Sequence, residues 1–310
     1  MRKRLLFIMI LALVCYGKML AQDTTTNIRG MTVNLDEVVV AAQRVGFDVN
    51  SFIKRVEDDT TFYRAFKNLH RVGFTASNDI RVYDKDRSAI KASLLSKTRQ
   101  LINGNCRHME TLSEKTTGNF YTKDHGYNYY TAALYANLFF TQGTVCGEEA
   151  VTGSKSSLDK HKGQLKQLIF NPGKPIKGVP IVGGKVAIFD PAVQRLYDFS
   201  IIAATYHDSI SCYVFTARAK KDLGLFDRGD IVIDELITYF NKENFEIVSR
   251  KYSLSYKTVL FDFKVQMNVE MTKVNDLLIP LLVTYDGTWD VAFKKRETAS
   301  FIARFGNFNQ

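Results

Sequence analysis

The clearest pattern in the chain is a strict alternation of apolar and polar residues between Val259 and Met271. Apolar side chains occupy every second position there, and the residues between them are nearly all polar. Such alternation predicts a half-buried antiparallel strand, because parallel strands are usually apolar on both faces. Thirteen residues at about 3.4 Å each extend roughly 40 Å, a length that suits a large curved sheet.

Further strands are predicted before and after this one. Short apolar runs bounded by turn residues predict neighbouring strands at residues 194–205, 209–219, 231–233, 246–257, 277–285 and 289–296. The dipeptide Asp286-Gly287 predicts a hairpin turn between the last two. Earlier in the chain, residues 72–122 predict a three-stranded meander.

Helical patterns occur in three places. Apolar spacing predicts a helix over residues 47–69, with Asp48 as its cap and residues 58–61 as a point where it divides in two. Residues 127–140 form the most aromatic window and predict a helix or an irregular aromatic segment, and residues 156–170 predict a further helix. We therefore predict an α+β fold in which a large curved antiparallel β-sheet, half-barrel-like, carries packed helices.

The first residues predict export. A basic start at Met1–Arg4 precedes an unbroken apolar run from Leu5 to Cys15, which has the order of a secretory signal peptide. The run is shorter than the roughly 20 residues that cross a bilayer. We read residues 1–22 as a signal peptide, with cleavage after Ala21 and Gln22 or Asp23 as the mature start. Cys15 follows Val14, where a lipoprotein signal needs a small residue, so we expect release without a lipid anchor.

The remaining chain divides into three segments. Residues 23–46 are polar at their start and predict a flexible N-terminal segment. Residues 47–150 hold the helix, the strand meander and the aromatic segment, and residues 151–310 hold a helix followed by the long antiparallel sheet. These last two segments are compatible with a single domain. No later stretch reaches membrane-span length, so we expect no transmembrane span in the mature chain.

Composition and charge change this reading little. The 310 residues include 42 basic and 32 acidic side chains, a formal charge of +10 that falls to about +6 when the signal peptide is removed. Mild basicity favours acidic surfaces such as lipid headgroups or polysaccharides. Nucleic acid is not expected as a partner of an exported protein. Of the three remaining cysteines, Cys106 and Cys146 can form a disulfide, and Cys212 in a strand-like run is expected to be buried.

Catalytic and metal-binding motifs do not withstand inspection. The five histidines form neither H-x-x-x-H nor H-E-x-x-H, no G-x-S-x-G is present, and the cysteines lack zinc spacing. The glycine-rich stretch that ends at Lys185 is followed by Val186, where a phosphate loop needs Ser or Thr. We therefore predict no catalytic residue, no metal site and no cofactor, and favour a non-enzymatic protein.

The C-terminal region carries a resemblance. Val269-Glu270-Met271, the run from Asn275 to Pro280, and Tyr285-Asp286-Gly287-Thr288-Trp289 resemble the strand–turn–strand ending of lipoprotein-sorting-like periplasmic proteins. The region is also similar to that of uncharacterised exported Bacteroidetes envelope proteins. The resemblance implies a curved half-barrel with helices on its concave side and an apolar cavity for acyl chains. It implies no catalytic residue.

These observations favour an exported envelope protein, located in the periplasm or at the cell surface, that binds a lipid or other hydrophobic ligand or an envelope protein partner. Two alternatives stay open: a structural module of a surface complex, and a glycan-acting envelope enzyme. Pockets for hydrophobic ligands are lined by apolar and aromatic side chains. The ligand-binding candidates are therefore Tyr130, Tyr135, Phe139, Phe261, Phe263 and Met267.

Overall fold

The computed structural model describes residues 24–147, 172–175, 183–257, 261–291 and 296–309. The strands in this part of the chain are β1 (Thr24–Ile28), β2 (Met31–Leu35), β3 (Gly73–Tyr83), β4 (Ile90–Asn103), β5 (Cys106–Thr117), β6 (Thr144–Cys146), β7 (Tyr197–Tyr206), β8 (Ile210–Ala219), β9 (Ile233–Asn241), β10 (Ile247–Lys257), β11 (Phe261–Val274), β12 (Leu277–Val291) and β13 (Glu297–Asn309). They form one curved, unclosed sheet.

The strand order in this sheet is β1-β2-β7-β8-β9-β10-β11-β12-β13-β3-β4-β5-β6. Neighbouring strands are antiparallel except β2 and β7, which run parallel with Val33 opposite Phe199. The antiparallel sheet with a few helices confirms the predicted α+β, half-barrel-like fold. Strands from residues 47–150 and from residues 151–310 pair with each other where β3 meets β13.

Helices cover one face of the sheet, which we call the inner face. They are α1 (Glu37–Arg44), α2 (Val49–Asp58), α3 (Thr61–Asn68) and α4 (Tyr130–Phe139), and the one-turn helices α5 (Pro191–Gln194) and α6 (Leu225–Arg228) lie in loops. Asp48 caps α2 by accepting a hydrogen bond from the Ser51 N–H. The side chain of Asp59 accepts one from the Thr61 N–H, so the helical region divides where the sequence predicts.

The predicted turn at Asp286-Gly287 is wrong. Both residues lie inside β12, which pairs without interruption with β11 from Val265–Gly287 to Phe261–Val291. The glycine serves packing instead, because a Cβ at Gly287 would lie 2.1 Å from the Tyr285 hydroxyl. The β11–β12 turn is formed by Asn275 and Asp276, whose φ angles of 49° and 62° match a tight hairpin.

Strand β13 is absent from the sequence-based predictions. It places Ala299, Phe301, Ala303 and Phe305 on the inner face, and all four are buried. The same period of two is present in the sequence, although alanine and glycine weaken its contrast. The prediction of a separate strand that starts at residue 289 is also wrong, because residues 289–291 are the end of β12. Residues 292–295 lie outside the described residues, and Arg296 precedes β13.

Residues 24–44, predicted to be flexible, form β1, β2 and α1. A two-residue turn at Arg29-Gly30, both with positive φ, joins the strands. The side chain of Asp36 accepts hydrogen bonds from the Val39 N–H and from the Ala203 N–H, each at 2.7 Å, and so fixes α1 against β7. This long-range contact orders a segment whose polar composition suggests mobility. The predicted signal peptide and the helix at 156–170 lie outside the described residues.

The cysteines follow two separate patterns. Cys106 and Cys146 form a disulfide between directly opposed positions of β5 and β6. Cys212 is a buried thiol on β8, and burial raises its pKa. The disulfide encloses β5 and α4 in one covalent loop, so it restrains the segment that delivers the aromatic residues of α4 to the inner face.

Candidate ligand-binding site

The five candidate residues whose side chains the structure describes lie on the inner face, but not all of them contact one another. Alternation along β11 turns Phe263 and Met267 toward the helices, where both are buried. Helix α4 lies over β13 and presents Tyr130, Tyr135 and Phe139 to the same face. The side chain of Phe261 lies outside the described residues.

Trp289 brings two of the candidates together near one end of the sheet. Its ring stacks on Phe263 with centroids 5.0 Å apart and meets the edge of Tyr130 at 5.9 Å. The Trp289 indole N–H donates a hydrogen bond to the Tyr285 hydroxyl, and Tyr256 lies 6.3 Å from Phe263 on the next strand. We call these five aromatic residues, Tyr130, Tyr256, Phe263, Tyr285 and Trp289, the Trp289 cluster.

Two other candidates pack around Phe301, whose ring stacks on Tyr285 of the Trp289 cluster with centroids 4.7 Å apart. Tyr135 meets Phe301 at 5.0 Å, edge to face, and Phe139 packs on Phe301 and Phe305 at 6.2 and 5.5 Å. These side chains are buried against each other and fill the space between α4 and β13. They act as packed core, which is the ordinary role of such residues.

Met267 contacts a third neighbour, Tyr252 of β10. The Tyr252 hydroxyl lies 3.0 Å from the Met267 sulfur, and both residues are buried. Tyr252 in turn meets Phe62 of α3 at 6.4 Å. Met267 also lies directly opposite Tyr285 in the β11–β12 pairing, so it borders the Trp289 cluster on the side that faces α3.

The start of α4 is fixed by an acidic residue from β13. The two carboxylate oxygens of Glu297 accept hydrogen bonds from the backbone N–H groups of Tyr130 and Thr131, each at 2.7 Å. A carboxylate at a helix N-terminus satisfies unpaired N–H groups and complements the helix dipole. Glu297 therefore positions the ring of Tyr130 within the Trp289 cluster from a point 167 residues away in sequence.

The Tyr130 hydroxyl differs from its neighbours in the cluster. The ring is half-buried, whereas its Oη atom is buried and has no hydrogen-bond partner among the described residues. Burial, reinforced by the charge of Glu297, raises the pKa of this hydroxyl, so it stays protonated. Buried hydroxyl groups are normally paired, which makes this one a free donor and acceptor inside an aromatic wall.

A lysine closes one side of the Trp289 cluster. The ammonium of Lys185 donates to the Tyr256 hydroxyl at 3.0 Å and to the Gly229 carbonyl at 2.9 Å, and it pairs with Asp230 at 2.9 Å. Burial lowers the pKa of Lys185, but the bonds to Tyr256 and Asp230 outweigh it and raise the pKa overall. Lys185 therefore remains charged and joins the cluster to the loop after β8.

A buried ion pair lies farther along the inner face. The Arg250 guanidinium donates to the Thr238 hydroxyl at 2.9 Å, stands 4.4 Å above the Phe62 ring and lies 3.5 Å from the Asp59 carboxylate. The Arg250 and Asp59 side chains are only 6% and 8% exposed. The pair joins β10 to the junction of α2 and α3. We interpret it as a structural contact, because each of its groups already faces a partner.

The opposite face of the sheet is mainly polar. A shallow depression there lies between β13, β3, β4 and β5, and Ser77, Lys97, Ser113 and Arg304 contribute to its lining. Charged side chains border this depression, although Leu95 makes part of its lining apolar. The inner face at the Trp289 cluster is the better candidate, because aromatic rings and the unpaired Tyr130 hydroxyl combine there.

Sequence reasoning missed the residues that organise this site. Trp289 is the one tryptophan of the chain, and its spacing from Tyr285 places both on one face of a strand only once β12 is known to be continuous. Glu297 is the first residue of the unpredicted strand β13. Among the described residues, no three His, Cys, Asp or Glu side chains approach one another closely enough to hold a metal ion. Within the same residues, no helix has the length and apolar character to cross a membrane.

Comparisons with known proteins give little further information. No protein-family model matches this sequence, and no curated protein is significantly similar to it. Two solved structures align with most of the chain. One is a DUF1329 family protein from Desulfovibrio piger, at TM-score 0.26 and 8% identity over 80% of this chain and 90% of that one.

The second solved structure is described as an outer membrane lipoprotein-sorting protein domain from Vibrio parahaemolyticus. It aligns at TM-score 0.24 and 7% identity, over 79% of this chain and 90% of that one. Both TM-scores lie below 0.5, so these likenesses carry no argument about what this protein binds. The function must be argued from its own residues.

Proposed function

We propose that the protein is an exported, non-enzymatic envelope protein that binds a hydrophobic ligand at the Trp289 cluster. The observation that carries this proposal is the buried, unpaired Tyr130 hydroxyl among aromatic rings. Leaving a buried hydroxyl without a partner costs about 1–3 kcal/mol. A ligand with an apolar body and an uncharged polar group would supply the missing hydrogen bond.

Access to this site supports the proposal. The Tyr130 ring is partly exposed, so the cluster reaches the protein surface beside the start of α4. Phe263 and Trp289 lie buried behind it, so an acyl chain would reach their rings where the Tyr130 ring moves aside. The Glu297 carboxylate, which accepts from the Tyr130 backbone N–H, adds to burial in raising the pKa of the Tyr130 hydroxyl. Its negative charge disfavours an anionic group nearby, so we expect neutral or zwitterionic amphiphiles as ligands.

A second candidate function is protein binding as a structural module of an envelope complex. The tight packing of Tyr135, Phe139 and Met267 favours it, because the protein's own side chains occupy the space around these three candidates. An exposed apolar side chain on the outer face, Ile202 at 42% exposure, gives such a partner a contact point. Single exposed side chains of this kind are common, so this is the weaker candidate.

Fluorescence of the single tryptophan tests the proposal directly. We would titrate mature protein, residues 23–310, with a monoacylglycerol below its aggregation limit and follow Trp289 emission. We expect a saturable change, and we expect Tyr130→Phe to weaken binding up to about tenfold, because one hydrogen bond of about 0.5–1.5 kcal/mol is lost. Tyr239→Phe, on the outer face, is the matched control and should bind as the wild type does.

Native mass spectrometry of protein isolated from its own envelope supplies an independent readout. A solvent-extractable lipid mass that is reduced in Tyr130→Phe would support the proposal. A bare mass combined with no saturable change in Trp289 emission would contradict it. The protein-binding alternative would then lead, and cross-linking in intact cells would be the next experiment.

A further inference from the structure

The loop between β8 and β9, residues 220–232, carries the most exposed large apolar side chain among the described residues. Phe226 lies on the one-turn helix α6 and is 95% exposed. Transferring a phenylalanine side chain out of water is favourable, so burial of this exposed ring against another apolar surface would stabilise the bound state. Single exposed rings are common on protein surfaces, and here the ring is accompanied by a net positive charge of the loop and the residues bonded to it.

Basic side chains outnumber acidic ones when the loop that carries Phe226 and the residues bonded to that loop are taken together. The loop and its contacts contain five basic residues, Lys185, Arg195, Lys220, Lys221 and Arg228, against three acidic ones, Asp222, Asp227 and Asp230. Two of the acidic groups are already paired: Asp227 with Arg195 at 2.8 Å and Asp230 with Lys185 at 2.9 Å. The charge that remains around Phe226 is therefore positive.

Hydrogen bonds hold the loop in a defined conformation, so the exposure of Phe226 does not result from local unfolding. Arg228 donates to the Lys221 carbonyl at 3.0 Å, and Lys220 donates to the Arg195 carbonyl at 2.9 Å. The Ser255 N–H donates to the Val232 carbonyl at 2.9 Å, which ties the end of the loop to β10. These bonds cross the base of the loop and leave its apolar tip projecting.

The position of the loop relates it to the candidate site. Lys185 contacts both Gly229 and Asp230 of the loop and the Tyr256 hydroxyl of the Trp289 cluster. The strand ends at Ala219 and Lys257 lie at the same end of the sheet, because Arg218 pairs with Glu235 and Leu254 pairs with Ile233. The exposed ring and the aromatic site thus share one end of the molecule.

We propose that the β8–β9 loop docks this end of the protein on an anionic lipid bilayer. Phe226 enters the boundary between headgroups and acyl chains, while Lys220, Lys221 and Arg228 face the lipid phosphates. An apolar tip within a basic collar is the combination that peripheral proteins use at such surfaces. The inference does not require that the Trp289 cluster binds a ligand, but it would bring that cluster next to a source of lipid.

Vesicle sedimentation tests the docking surface. Mature protein is mixed with vesicles of phosphatidylcholine alone or with about one-third phosphatidylglycerol, at low and at physiological salt. We expect binding to the anionic vesicles only. Phe226→Ser should weaken that binding about tenfold or more, from the loss of one buried aromatic side chain. Lys220→Gln with Lys221→Gln should weaken it about fivefold for each charge and reduce its salt dependence.

The matched control is Val45→Ser, which removes an 88% exposed apolar side chain at the end of α1 and should leave vesicle binding unchanged. Because Phe226 makes few contacts, Phe226→Ser should retain the wild-type Trp289 emission spectrum, which verifies folding. Equal binding of wild type and Phe226→Ser, or no binding of wild type to anionic vesicles, would overturn the proposal. Monoacylglycerol titration of Phe226→Ser reports on the ligand site separately, so the two proposals can fail independently.

Discussion

The hydroxyl of Tyr135 donates a 2.6 Å hydrogen bond to the side-chain carbonyl of Asn78, and both residues are buried. Asn78 extends this network, because its amide donates hydrogen bonds to the hydroxyls of Ser96 and Thr98 on the next strand. Burial raises the pKa of Tyr135 well above its usual value, so the hydroxyl remains a donor. A satisfied polar network inside an apolar core fixes where α4 sits on β3 and β4.

We therefore predict that Tyr135→Phe lowers the free energy of unfolding by about 1–3 kcal/mol, because the Asn78 carbonyl is left buried and unpaired. Urea denaturation followed by Trp289 emission measures this change. Tyr239→Phe, half-buried on the outer face, should cost clearly less. Equal stabilities of the two variants would show that the network contributes nothing.

Glu297 offers a second test, at the start of α4. We predict that Glu297→Ala destabilises the protein by about 1–2 kcal/mol, because two helix N–H groups lose their acceptor. Hydrogen exchange of the first-turn amides of α4 should accelerate more than that of α2. Glu243→Ala, at an exposed turn, provides the comparison. Uniform acceleration over the whole protein would argue against a local capping role.

The disulfide should stabilise the fold through the loop that it closes. Cys106 and Cys146 are 40 residues apart, and a loop of this size predicts a contribution of about 2–4 kcal/mol. A reductant should therefore lower the melting temperature of the wild type. The double variant Cys106→Ser with Cys146→Ser should already melt low and show no response to the reductant. A response in that variant would mean that another group is being reduced.

The two faces of β11 can be separated by neighbouring substitutions. Phe263→Asp places a charge on the buried face beside Trp289, and we predict a loss of at least about 3 kcal/mol or a failure to fold. Lys264→Asp changes the adjacent, exposed position on the opposite face and should cost less than about 1 kcal/mol. Thermal melting of both variants checks the face assignment, which fails if Phe263→Asp melts like the wild type.

The sequence predicts those parts of the fold whose signal is local. The alternation around Phe263 suffices to identify β11 and its buried face, because one strand buries one face. The same reasoning fails at Asp286-Gly287, whose turn preference is overruled by the Tyr285 ring that lies across the glycine. Strand β13 was missed for a related reason: its alanines fit beneath α4, and small residues give little hydrophobic contrast.

The candidate site shows the same limit. The sequence shows Tyr130 as part of an aromatic window and Phe263 as part of an apolar strand face, but nothing in their spacing indicates that Trp289 lies between them. The contacts that position the site are long-range. Glu297 reaches Tyr130 across 167 residues, and Arg250 reaches Asp59 across 191. Pairings of that range follow from topology, which a single sequence does not reveal.

The position of β13 has a consequence for the order in which the sheet can form. It lies between β12 and β3, although it follows every other described strand in the chain. While the polypeptide is being synthesised, β3–β5 and β7–β12 emerge as two separate sheets, each with a long unpaired edge of the kind that recruits other chains. A truncated chain that ends before Glu297 would therefore form two partial sheets that are prone to aggregation, and not a smaller version of the same fold.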